Sequence, residues 1–122
     1  MANEISYTFQ IILNNGSLKD QYSSNSIAAD QTTAALVRNV QEISNAAHSA
    51  LDLGSIATPG FAVFQNLDAA NYVEIGIDVG ATFYPFMKLK AGEQGMVRLG
   101  IAAPYAQSDT APISLFYIIY DD

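Results

Sequence analysis

The stretch Tyr72-Val73-Glu74-Ile75-Gly76-Ile77-Asp78-Val79 alternates without a break. Val73, Ile75, Ile77 and Val79 fall on one side of an extended chain, and Glu74, Gly76 and Asp78 on the other. A period of two residues is the signature of a half-buried β-strand. Gly80 ends the run. Phe83 to Leu89 follows as a second strand, Ala91-Gly92-Glu93 turns the chain, and Gln94 to Leu99 returns. On the N-terminal side, Phe61 to Gln65 reads as a strand and residues 66–71 as a turn. On the C-terminal side, Tyr105 to Ser108 forms a short strand, and Ile113 to Tyr120 closes the chain.

The first residues repeat the pattern. Ile5, Tyr7, Phe9, Ile11 and Leu13 share a face, Asn14-Asn15-Gly16 supplies a tight turn, and Leu18 to Ser23 pairs back. Between Ala28 and Leu51 the residues leave two readings open. Leu36, Val40, Ile43, Ala47 and Leu51 recur at helical spacing, with Asp30 available as an N-cap. The other reading is a strand over Leu36 to Ser44, a loop at Asn45 and a strand over Ser49 to Leu53. Runs spaced by roughly 8–12 residues predict one all-β antiparallel sandwich over residues 1–122.

Composition narrows the function. The chain has 122 residues, half of them apolar or aromatic and 14% charged, which excludes a disordered chain. Twelve acidic against five basic side chains give a net charge of −7, and that sign repels nucleic acid. No apolar run reaches the ~20 residues of a membrane helix, and the start lacks the basic and apolar regions of an export signal. The expectation is a soluble protein with no direct nucleic-acid or membrane partner.

The chemistry-bearing residues are sparse. Cysteine is absent and His48 is the single histidine, so neither a thiolate nor a multi-histidine metal site is available. Gly-x-Ser-x-Gly is missing, as is a glycine-rich phosphate loop. Asp68 and Asp78 could approach one another across a hairpin and hold a hard cation such as Ca²⁺, yet no calcium motif surrounds them, and turn and surface roles are expected. Tyr72, Tyr84 and Tyr105 offer stacking platforms for a carbohydrate-binding module. The sequence thus predicts no enzyme, no catalytic residue, no metal and no cofactor.

Two strands are apolar on both faces. In Leu115-Phe116-Tyr117-Ile118-Ile119-Tyr120, one face packs into the sandwich, and Phe116, Ile118 and Tyr120 are left on the other. Phe83, Tyr84 and Phe86 show the same excess. A neighbouring subunit is expected to cover these six residues, with Asp121-Asp122 preventing onward pairing of the last strand.

From Leu51 to Asp122 the chain resembles a group of small phage structural proteins. The matching phrases include Ala50-Leu51-Asp52-Leu53-Gly54, Thr58-Pro59-Gly60, and Gln65-Asn66-Leu67-Asp68-Ala69-Ala70-Asn71-Tyr72-Val73-Glu74-Ile75-Gly76. Phe83-Tyr84-Pro85-Phe86-Met87-Lys88-Leu89-Lys90-Ala91-Gly92-Glu93 and Pro104-Tyr105-Ala106 continue the series. The resemblance implies a jelly-roll sandwich and two strands, not a helix, after Leu36. It further implies a capsid decoration (cement) protein on the virion surface, made in the host cytoplasm. A homotrimer binding the major capsid protein is the expected assembly, with a tail, baseplate or fibre component as the alternative.

Overall fold

The computed structural model describes residues 3–100 and 103–122, and the chain forms two compact units: residues 3–33, and Ala34–Asp122. The protein is all-β, with antiparallel sheets packed as a sandwich. Among the described residues the hydrophobic core cluster lies in the second unit, Ala34–Asp122.

The first unit holds β1 (Ile5–Tyr7), β2 (Gln10–Asn15), β3 (Leu18–Ser23) and β4 (Ile27–Ala29). The alternating stretch expected as one strand is two, because its halves pair differently: β1 with β4, and β2 with β3. Gly16, at φ +60°, supplies the left-handed backbone of the β2–β3 turn.

Among the described residues the second unit holds eight strands: β5 (Leu36–Ile43), β6 (Ser49–Ala50), β7 (Pro59–Asn66), β8 (Val73–Val79), β9 (Thr82–Leu89), β10 (Gln94–Arg98), β11 (Tyr105–Ser108) and β12 (Ile113–Asp121). They form two four-stranded sheets, β10-β7-β12-β5 and β6-β11-β8-β9. Four pairings are nested: β5 with β12, β6 with β11, β7 with β10, and β8 with β9. This is a long hairpin rolled over a core, the double Greek key of an eight-stranded jelly roll.

Of the two readings after Ala28, the structure takes the strands. Leu36, Val40 and Ile43 satisfy a helical spacing, but β5 pairs with β12 over eight consecutive residues. Tertiary pairing therefore overrides a local pattern that fits both periods. On β12, Leu115, Tyr117 and Ile119 are fully buried in the core with Phe64, Ile43, Val73 and Ile75.

Buried polar groups in this core are partnered. Asn66 Nδ2 donates to Asn71 O at 2.8 Å and Leu89 O at 3.1 Å, while Asn66 Oδ1 accepts from Asp68 N at 2.9 Å. The Tyr117 hydroxyl accepts from Asn39 Nδ2 at 3.1 Å and lies 2.7 Å from Asp52 O, which can take its proton. Burial pushes the Tyr117 phenol above its ordinary pKa of 10.

Strand β9 carries a bulge. Ile75 pairs with Met87 but Gly76 pairs with Pro85, so Phe86 is an extra residue. A Cβ on Gly76 would lie 2.1 Å from Tyr84 O and 2.5 Å from Pro85 Cα, so only glycine fits under the bulge.

Two substitutions test this framework. Asn66→Ala strands two carbonyls and one amide; at roughly 1–3 kcal/mol for each unsatisfied buried group, a loss of about 3 kcal/mol or more is expected in urea unfolding. Gly76→Ala meets backbone that cannot move aside, and a loss of about 1–3 kcal/mol is expected by the same measurement. A neutral result for either would show that the turn or the bulge is dispensable.

Candidate functional site

The register assigns side chains to the outer face of the β10-β7-β12-β5 sheet. Paired residues share a face, so Phe116 stands in a row with Val40 and Gln65, and Ile118 in a row with Arg38, Val63 and Met96. The next row sets Tyr120 beside Leu36, with Phe61 and Arg98 paired across β7 and β10. Three of the six residues expected at an interface, Phe116, Ile118 and Tyr120, therefore lie together. They are only half-buried, and Leu36, Val40 and Met96 around them are 50%, 54% and 40% exposed.

A solvated outer face of an antiparallel sandwich is normally polar. Here eight apolar side chains span four strands, and the cations stand at its margins: Arg38 on edge strand β5, Arg98 on edge strand β10. Arg98 lies over the Phe61 ring at 4.8 Å and donates to Asp122 Oδ1 at 3.0 Å. Covering the exposed halves of Leu36, Val40 and Met96 with the partly exposed central row would contribute roughly 3–5 kcal/mol.

The other three expected interface residues do not join this face. Phe83, Tyr84 and Phe86 lie on β9, an edge strand of the opposite sheet. Along β9, Phe83 and Tyr84 point to opposite sides, and Phe86 is the extra residue of the bulge. Phe86 lines a cleft of about 300 Å³ with Ile77, Val97, Arg98 and Leu99, Tyr84 is exposed, and Phe83 stacks on His48. The six residues thus divide between the two sheets, Phe116, Ile118 and Tyr120 on one and Phe83, Tyr84 and Phe86 on the other. Asp121 and Asp122 do not guard a sheet edge either, because β12 is paired on both sides. Asp121 Oδ1 accepts from Thr58 N at 3.0 Å, and Asp122 holds Arg98.

His48 has a role that its small-residue surroundings did not announce. Its Nε2 lies 2.6 Å from Asp78 Oδ2, both side chains being largely buried. The ring is stacked on Phe83 at 5.3 Å and tilted against Tyr105 at 5.6 Å. Asp78 Oδ1 accepts from Ala81 N at 3.1 Å, so one carboxylate joins the segment before β6 to the β8–β9 turn. The arrangement is suited to holding strands together.

Asp68 and Asp78 are not brought together, since they lie at opposite ends of β8. Asp68 Oδ2 accepts from the amides of Asn71 at 2.6 Å and Ala70 at 3.0 Å, and the bond from Asn71 leads in holding its carboxyl below the usual range. Among the described residues no group of three or more His, Cys, Asp or Glu side chains converges. Tyr72 carries the Lys88 ammonium over its ring at 4.0 Å, and the charge of Asp109 leads in raising its phenol pKa. Tyr72, Tyr84 and Tyr105 therefore do not present three free platforms. No helix of the described residues is long and apolar enough to cross a membrane.

No family of known proteins, no curated protein and no solved structure matches this chain.

His48→Ala removes a ring from between Phe83 and Tyr105 and leaves Asp78 with its turn amide. A loss of about 1 kcal/mol in thermal or urea unfolding is expected, with the fold retained. A loss of the whole sheet signal in circular dichroism would assign the pair a larger structural role.

Proposed function

We propose that the chain is a structural protein of a phage virion, an oligomeric decoration protein that binds and stabilises the capsid. The observation that carries this reading is the apolar outer face of the β10-β7-β12-β5 sheet, built around Phe116, Ile118 and Tyr120. A monomeric sandwich gains nothing from such a face, whereas an assembling subunit buries it. The eight-stranded jelly roll is a fold that viral capsid domains use, although lectins and cupins use it as well, so the fold alone does not decide. The link to a virion rests on the resemblance of Leu51 to Asp122 to small phage structural proteins.

The proposed assembly is a homotrimer of about 39 kDa, three times the 13.1 kDa chain. Threefold symmetry matches the threefold and quasi-threefold positions of an icosahedral shell, and three simultaneous weak contacts multiply into firm attachment. The net charge of −7 suits docking on basic patches of the major capsid protein and keeps free trimers apart.

Light scattering at micromolar concentration tests the assembly. The wild type is expected to run as a trimer. Val40→Lys and Met96→Lys change residues already exposed, so they are expected to fold and to shift the mass towards 13.1 kDa. Ile118→Asp with Tyr120→Asp strikes the centre and is expected to release monomers or unfold the chain. A folded wild-type monomer would overturn the proposed assembly. Electron microscopy of the particle then locates the protein: density on the capsid surface supports decoration, and density on the tail or baseplate replaces it with the other virion role.

A further inference from the structure

The β2–β3 hairpin of the first unit is amphipathic, and every residue of both strands is exposed. Its register sets Ile11 beside Tyr22, Leu13 beside Asp20, and Asn15 beside Leu18 on one face. Phe9 extends that face, its ring 5.5 Å from Tyr22, and its amide donates to Ser24 Oγ at 2.8 Å. The other face carries Gln10, Asn14, Lys19, Gln21 and Ser23, with Ile12 as its one large apolar residue. A two-stranded ribbon alone is marginal in water, and it becomes stable when its apolar face is covered.

We infer that the apolar face of this hairpin packs against the same face of a second copy of the chain about a two-fold axis. The occupant follows from the order of the side chains along the face. An axis lying between the Ile11/Tyr22 and Leu13/Asp20 rows, perpendicular to the strands, sets Ile11 over Leu13 of the other copy. The same axis sets the Tyr22 phenol over the other copy's Asp20 carboxylate. The contact is then isologous: the Ile11–Leu13 pair and the Tyr22–Asp20 hydrogen bond each occur twice by symmetry. An entirely apolar partner would leave Asp20 without a donor in the middle of the contact, which is costly. A second hairpin supplies that donor, and the stacked pair becomes a two-layer, four-stranded unit with an interior of its own.

The contact is small. The hairpin's six residue pairs span about 20 Å, and three of them point to this two-strand-wide face, well under the roughly 800 Å² per partner of a standard stable complex. It is accordingly a reversible link between copies, and it uses neither Phe116, Ile118 and Tyr120 nor any other residue of the sandwich.

The absence of cysteine makes the test direct, because an introduced thiol is the only one in the chain. Leu13→Cys places it on the apolar face and Ile12→Cys on the opposite face, one residue away. A short bis-maleimide suits the ~10 Å spacing of packed sheets. The inference predicts cross-linked dimer from Leu13→Cys and about tenfold less from Ile12→Cys, the equivalent of 1.4 kcal/mol. Adding Asp20→Lys or Tyr22→Phe to Leu13→Cys is expected to reduce the cross-linked fraction, whereas adding Val40→Lys leaves it unchanged. Equal cross-linking from both faces, or none from either up to millimolar protein, overturns the hairpin contact. Those results leave the sandwich-face trimer untouched, and a wild-type monomer by light scattering alongside position-specific cross-linking would overturn the trimer alone.

Discussion

Strand β12 is paired on both sides, with β5 over eight residues and with β7 over most of its length, and it alternates strictly between core and outer face. Leu115, Tyr117 and Ile119 are fully buried. A slip of one residue would send them outward and bring Phe116, Ile118 and Tyr120 inward. Both faces being apolar, the hydrophobic pattern alone would tolerate that slip. What forbids it is Tyr117, whose hydroxyl finds Asn39 and Asp52 O only in the observed register. One buried polar contact thus fixes which three large side chains face outward, and through them which surface the molecule offers a partner.

The rest of the jelly roll follows from nested pairing. The innermost hairpin, β8–β9, sits on one sheet, and each successive pair wraps around it until β12 meets β5. Asn66 anchors the turn between β7 and β8 from inside, and Asp68 closes the same turn from outside. At the far end of β8, Asp78 joins His48 to the β8–β9 turn. These local ties lock the loops, while apolar burial between the two sheets supplies most of the stability.

Strands with a clear period of two were legible in the sequence: Tyr105–Ser108 matches residue for residue, and the runs around β7, β8, β9, β10 and β12 differ only at their ends. Residues 36–51 were not, because their apolar positions satisfy both periods and only the β12 pairing selects one. Three of the six residues singled out from the sequence share one outer face. The both-sided apolar run marked Phe116, Ile118 and Tyr120, but joining them to Leu36, Val40, Val63 and Met96 needs the cross-strand register. Phe83 and Tyr84 alternate across β9 ahead of the bulge opposite Gly76, and the extra residue Phe86 resets the alternation after it, which the local pattern does not announce. The His48–Asp78 pair bridges thirty residues of sequence and left no local signal.

In the proposed assembly, other copies of the chain cover the outer face of the β10-β7-β12-β5 sheet in solution. Hydroxyl-radical footprinting across a concentration series reads this residue by residue. Met96, Phe116 and Tyr120 should be protected at micromolar protein and become reactive on dilution, while Tyr84, exposed on the other sheet, reacts alike throughout. Equal, concentration-independent labelling of Met96 and Tyr84 would contradict it.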